Sequence, residues 1–285
     1  MLPRSLPLRP HGLYGVVHVA ALPGDPGHAA TGFASTLDAA MADAEALVAG
    51  GCTGIVIENF GSTPFVKGTP GDRLPPHQVA ALTVLATQCR SRFDVPIGVN
   101  CLRNDAPAAI GIAAAVDLAF VRVNVHVGAY LTDQGVIEGE AATTLRYRHA
   151  LGADAVGIWA DVMVKHAVPL APIDPRVATR DCLLRGRADA VIVTGTATGA
   201  GVVRDDLEAI ANAADGAPVV IGSGLTPDNA AELAPWVDAA IVGTYFKHEG
   251  DVRAPVDVER VRTMVAATAG TFKTPSRSAR ADNVG

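Results

Sequence analysis

Cysteine is scarce in this sequence of 285 residues, with four in all, and aromatic side chains (5%) and charged ones (18%) are sparse. Cys52, Cys89, Cys101 and Cys182 are scattered and form no C-x-x-C pair. That excludes a disulfide framework or a zinc knuckle and predicts reduced thiols. No uninterrupted apolar run nears the ~20 residues that cross a bilayer, so no transmembrane segment is expected. Met1 to Pro10 carries prolines and arginines with no apolar core and does not read as a signal peptide. A net charge of −6 argues against a nucleic-acid-binding surface, while a local basic pocket for one phosphate stays open. These absences point to a cytoplasmic globular protein.

What is present is apolar material, 49% of the chain, distributed in short segments. Strand-like runs fall at Gly15–Ala20, Gly54–Glu58, Pro96–Cys101, Ala119–Val125, Ala155–Asp161, Ala190–Thr194, Val219–Ser223 and Ala239–Gly243. They are rich in Val and Ile and often apolar at successive positions, as strands buried on both faces are. Amphipathic helices lie between them. Leu37, Ala40, Met41, Ala44 and Leu47 share one helical face before Gly50-Gly51, and Thr226-Pro227 reads as a helix start. Eight such units close most simply into an α/β (β/α)₈ TIM barrel, which commonly takes ~250 residues; a doubly wound open sheet is the rival. The expectation is one barrel domain over residues 1–270 and a polar, disordered tail over 271–285.

In such a barrel the ligand meets the C-terminal strand ends. The seventh run passes into Gly222-Ser223-Gly224 and then the helix at Thr226-Pro227; the eighth ends in Gly243-Thr244. Glycine turns there free backbone N–H groups for a phosphate, against the alternative that they serve only to reverse the chain. A second set of polar residues stands where the runs otherwise stay apolar: His18, Glu58, Asn59, Asn100, Arg122, Asn124, Asp161 and Thr194. Buried polar groups need partners, so this set is expected to converge on one site. Asp161-Val162-Met163-Val164-Lys165-His166 holds one of only four lysines. Asp161, Lys165, His166 and Glu58 are the catalytic candidates. His18, Asn59, Asn100, Arg122, Asn124 and Thr194 are expected to bind substrate, and Gly222, Ser223, Gly224, Gly243 and Thr244 to bind phosphate. No cofactor is evident; a divalent metal at Glu58, Asp161 and His166 stays open without close ligand spacing to support it. Arg103 and Arg146 read as surface or salt-bridging residues. Long loops at Ala21–Phe33, Asn59–Pro75 and Val125–Glu138 are expected to act as lids or binding loops.

Taken in order, Val17-His18 with Leu22-Pro23-Gly24, Glu58-Asn59-Phe60-Gly61, Gly98-Val99-Asn100 with Leu102-Arg103-Asn104-Asp105, Arg122-Val123-Asn124, Thr132-Asp133-Gln134-Gly135, Asp161 with Val164-Lys165-His166-Ala167, Val193-Thr194-Gly195, Gly222-Ser223-Gly224 and Val242-Gly243-Thr244 resemble the BtpA (BtpA/SgcQ) family. The resemblance spans about residues 13 to 265. It implies a ribulose-phosphate-binding type of barrel, a cytosolic or membrane-peripheral location and, in phototrophs, a link to photosystem I accumulation. Trp159 and Met163 depart from the family pattern, where Phe or Ile and a polar residue are expected, and this bears on the pocket wall. Two functions follow. One is an enzyme acting on a small phosphorylated molecule, a sugar phosphate or nucleotide-like, by acid/base isomerase, lyase or glycosyl-bond chemistry. The other is a non-catalytic biogenesis factor for a membrane complex. Homo-oligomerisation stays open.

Overall fold

The computed structural model describes residues 6–29, 32–164, 166–195 and 202–273. Eight parallel strands close into a barrel: β1 (Gly12–His18), β2 (Gly54–Glu58), β3 (Ile97–Asn100), β4 (Phe120–Val123), β5 (Gly157–Val162), β6 (Ala190–Val193), β7 (Val219–Ile221) and β8 (Ala239–Val242). Each is followed by a helix: α1 (Gly32–Gly50), α2 (Pro76–Arg92), α3 (Ala106–Val116), α4 (Ala141–Ala150), α5 (Pro175–Arg180), α6 (Arg204–Ala213), α7 (Pro227–Leu233) and α8 (Val258–Thr268). No helix among the described residues is long and apolar enough to cross a membrane.

The period of two along each strand divides the apolar residues into two cores. Outward residues such as Val17, Ile57, Val99, Val121, Val191 and Ile221 pack with helix residues such as Leu47, Leu82 and Ile110. Inward residues form a separate plug that includes Tyr14, Val56, Phe120, Trp159, Ile192, Val220 and Ile241. Trp159 stacks on Phe120 at 3.6 Å, and Tyr14 stands edge-on to both rings at 5.0 and 5.5 Å. Such pairs contribute ~0.5–1.5 kcal/mol each beyond the area they bury. Trp159 therefore belongs to the barrel floor and does not form a pocket wall, a correction to the sequence reading.

Strand limits differ from expectation mainly at β1, which runs from Gly12 instead of Gly15 because Gly12–Gly15 pair with Ala239–Val242 of β8. The segment 125–138 is not a plain loop. Ala129–Thr132 and Gly135–Glu138 form an antiparallel hairpin, and Ala167–Pro169 joins it as a third strand. The Thr132-Asp133-Gln134-Gly135 stretch is its turn, with Gly135 at φ +93° and Thr132 Oγ1 donating to the Gly135 carbonyl at 2.8 Å. Of the polar tail, residues 274–285 lie outside the described residues.

Candidate active site

One more step of two along the strands beyond the aromatic plug changes the interior from apolar to polar. After Tyr14 and Val16 comes His18; after Val56, Glu58; after Phe120, Arg122; after Trp159, Asp161; after Val220, Gly222; after Ile241, Gly243. Asn100 and Thr194 occupy the corresponding ends of the β3 and β6 runs. This layer is where the sequence-predicted residues meet. Asn100 Nδ2 donates to Glu58 Oε1 at 2.8 Å. Arg122 donates from Nε and Nη2 to Asp161 at 3.3 and 3.2 Å, and its Nη1 lies 4.0 Å from Glu58 Oε1. Asn124 Nδ2 donates to Asp161 Oδ2 at 2.6 Å, and His18 Nε2 stands 3.9 Å from Glu58 Oε2.

Arg122 is fully enclosed. Burial opposes its charge, but the carboxylates of Asp161 and Glu58 outweigh it and hold the guanidinium above its ordinary value. Asp161 receives both guanidinium bonds and the Asn124 amide, so its oxygens are committed. Among the described residues it lines neither of two cavities at the barrel mouth, whereas Glu58 lines both.

The first cavity, of about 220 Å³, lies over β7, β8 and β1 and is bounded by the Gly222–Thr226 turn, Gly243, Thr244, His18 and Arg260. Gly222 and Gly243 hold barrel positions that larger residues cannot share. A Cβ at Gly243 would stand 2.6 Å from His18 Cε1, and one at Gly222 would stand close against Ile192 Cγ2, 2.8 Å from Thr194 Cγ2 and 3.3 Å from Arg122 Nη2. The side-chain space at Gly243 is taken by His18, and that at Gly222 by the top of the apolar plug together with the polar layer. The backbone N–H groups of Ser223, Gly224 and Thr244 donate to no group among the described residues, and Ser223 Oγ is buried without a partner. An orphaned buried hydroxyl costs ~1–3 kcal/mol unless a ligand satisfies it. The helix end adds little. α7 has seven residues, and the Thr226 N–H is taken by Asn229 Oδ1 at 2.8 Å. Arg260 supplies the positive charge instead. It comes from the first turn of α8, lies 4.4 Å over the Tyr245 ring and anchors Nε on the Tyr245 carbonyl.

The second cavity, of about 450 Å³, lies over β2–β4 and is lined by the apolar Phe60, Phe65 and Leu102 and by the polar Arg103, Asn124, Asp133 and His166, among others. Arg103, read from the sequence as a surface or salt-bridging residue, is 6% exposed, which rules out the solvated face. Burial draws it below its ordinary value, against the pull of Asp161, Asp133 and Glu58. The loop after β3 folds inward here because Asn59 clamps it. Asn59 Nδ2 donates to the Leu102 carbonyl at 3.2 Å, and its Oδ1 accepts the Leu102 N–H at 2.7 Å. Asn59 is thus spent on the loop and lines neither cavity. Asn104 joins the same loop to Val125 in the same two-way manner, at 2.9 and 2.7 Å. Arg73 forks onto Glu140 with two bonds of 2.8 Å, and Asp25 ties Leu22, Ser62 and Gln78 together. Among the described residues, the loops expected to act as lids or binding loops are held to one another by these bonds.

Lys165 lies outside the described residues, and His166 is an exposed part of the second cavity's wall. Glu58, Asp161 and His166 are not gathered as a metal site; among the described residues no three His, Cys, Asp or Glu side chains are. Sequence reasoning missed Arg260, Phe60, Phe65 and the burial of Arg103. The one available signal was Phe60, which sits in the quoted Glu58-Asn59-Phe60-Gly61 run.

A model of the BtpA family matches residues 9–270 of the chain. The photosystem I biogenesis protein BtpA of Synechocystis sp. is 41% identical over 269 residues, covering 94% of this chain and 92% of that protein. An uncharacterized protein of Thermococcus kodakarensis is 42% identical over 254 residues, covering 89% and 93%. Among solved structures, phosphoribosyl anthranilate isomerase from Thermococcus kodakaraensis aligns with a TM-score of 0.54 at 15% identity, covering 91% of this chain and 99% of that one. Thiamine phosphate pyrophosphorylase from Pyrococcus furiosus aligns at 0.54 and 18% identity, covering 91% and 97%. At these identities the structural likeness establishes the TIM-barrel fold alone.

Proposed function

This chain belongs to the BtpA family, and from that premise we propose that its barrel mouth binds a small phosphorylated metabolite and carries out acid/base chemistry on it. The observation that carries the reading is that Glu58, Phe60 and Arg122 line both cavities. An anion seated among the turn amides, the Ser223 hydroxyl and Arg260 therefore extends directly over a carboxylate and a guanidinium. The names of two structural neighbours mention phosphoribosyl and thiamine phosphate compounds, which fits an anion at this place.

In this reading Glu58 moves the proton. Asn100 fixes Oε1, and Oε2 faces His18. Arg122 stabilises negative charge that develops on a ligand oxygen, and its place is set in advance by Asp161. Asp161 is then a positioning residue, His18 orients a ligand oxygen, and Asn124, with Nδ2 on Asp161, presents Oδ1 to a ligand donor. Isomerisation, carbon–carbon lysis and glycosyl-bond cleavage all need one proton moved beside one stabilised oxygen. Proton NMR of sugar phosphates and of nucleoside monophosphates incubated with the protein in D₂O tests this. Solvent deuterium incorporation or turnover that disappears in Glu58→Gln is the expected result. No exchange and no turnover with any phosphorylated substrate offered counts against it.

A second reading, a biogenesis factor as the Synechocystis relative is named, has one observation in its favour. On the outer face of the three-stranded sheet Leu131, Val136 and Val168 stand side by side and exposed. If a Leu131→Asp/Val168→Asp variant fails to complement a deletion strain while Glu58→Gln succeeds, that reading displaces the enzymatic one.

A further inference from the structure

We infer that the second cavity receives a planar, nitrogen-bearing ring carried by the same phosphorylated ligand, so that the substrate class is a nucleotide-like phosphoglycoside and not a bare sugar phosphate. The inference rests on the phosphate-binding reading above and names what lies beyond the phosphate.

Size comes first. The anion cavity of about 220 Å³ has room for a phosphate and a pentose, and it shares Glu58, Phe60 and Arg122 with a further cavity of about 450 Å³. Small-molecule pockets span ~300–1,000 Å³, so the second cavity alone is large enough for a ring system. A bare sugar phosphate would leave it to solvent.

The chemistry of the walls specifies the ring. Phe60, Phe65 and Leu102 give apolar lining, and aromatic rings stack on heterocycles whatever their identity. Arg103, Asp133 and His166 line the same cavity and suit the polar edge of a flat ring and not an alkyl chain. Asn124 adds a demand of its own. It is 2% exposed, its Nδ2 is held by Asp161, and its Oδ1 is buried without a partner. That oxygen calls for a donor, which a ring N–H or amino group supplies. Ser223 Oγ, whose O–H can donate to an anion's oxygen, is likewise unpaired. Ser223 lines the first cavity, Asn124 the second and Glu58 both, so one ligand spanning the two would satisfy both groups.

Isothermal titration of the full chain with ribose 5-phosphate, adenosine 5′-monophosphate and uridine 5′-monophosphate separates the possibilities. At least one nucleotide should bind about fivefold or more tightly than ribose 5-phosphate, the smallest gain expected of one base stacked on an aromatic side chain. Phe65→Ala should bring that ratio toward one. Saturation-transfer NMR on the unaltered protein, which depends on no variant, should place the strongest effect on the base protons. Equal affinity for all three ligands, or saturation confined to the ribose, overturns this inference and leaves the phosphate reading standing. Failure of every phosphorylated ligand to bind overturns the reading on which it rests.

Discussion

Replacing Arg122 by Leu removes the cation from the polar layer and leaves two carboxylates behind. In the native protein the guanidinium is 3% exposed, bonds Asp161 twice and stands 4.0 Å from Glu58, and the Asp161 side chain is fully enclosed. After the substitution Asp161 keeps only the Asn124 amide. Removing one partner of a buried pair costs ~3–5 kcal/mol, most of it the uncompensated charge of the survivor. For a domain of this size that is a fall in Tm of roughly 6–20 °C, at ~2–4 °C per kcal/mol. Arg122→Lys keeps the charge but loses the fork that matches a carboxylate, so it should lose less. Adding Asp161→Leu to Arg122→Leu should recover part of the loss, because two apolar side chains need no partners. Urea denaturation followed by circular dichroism measures all three. A loss under ~1 kcal/mol in Arg122→Leu would show that water reaches the pair and would refute the dry polar layer described here.

Other parts of the molecule give further tests. Lys247, 2% exposed, pairs with Asp43 of α1, whose other oxygen accepts the Val256 N–H at 2.8 Å. Lys247→Met should destabilise by ~3–5 kcal/mol while ligand affinity changes little, as chemical denaturation and calorimetry would record. Gly243→Ala should displace His18 and cost ~1–3 kcal/mol, seen as a lower Tm together with weaker anion binding. Burial holds His126 below its ordinary value despite its bond to the Gly186 carbonyl, so the folded state keeps it neutral while the unfolded chain takes up a proton. Its contribution is present above about pH 6.5 and is lost as pH falls from there through the folded value, and His126→Gln should flatten the slope of Tm against pH in that window. All four cysteines are free and buried, with burial pushing Cys52, Cys89 and Cys182 up to about 12. A chromogenic disulfide reagent should modify them slowly in the folded protein and all at once in guanidinium.

The barrel was legible because its strands are short Val- and Ile-rich runs, and a step of two carries each run from plug to site. Tyr14, Val16 and His18 spell that transition on one strand, and Trp159 with Asp161 on another. The convergence of His18, Glu58, Asn100, Arg122 and Asp161 follows from parallel strands ending on one side. What each residue is bonded to did not follow. Asp161 reads as a reactive carboxylate until Arg122 and Asn124 are placed on it across 39 and 37 residues of sequence. Arg260 was hidden because an arginine between Val258 and Val261 looks like the solvent side of an amphipathic helix, and only the closure of the barrel brings α8 beside Thr244. The hairpin at 129–138 was hidden because its strands have four residues each and its third strand comes some thirty residues later, beyond β5.

The central claim is that an anion sits in the glycine turns and opens onto Glu58. Titration of ¹⁵N-labelled protein with inorganic phosphate, observed residue by residue, tests it most directly. The amides of Ser223, Gly224 and Thr244 should shift together along one saturable curve, and Ser223→Asp, which puts a carboxylate in the seat, should abolish that curve. Shifts elsewhere with none at these three amides, or an unchanged curve in Ser223→Asp, would contradict the account.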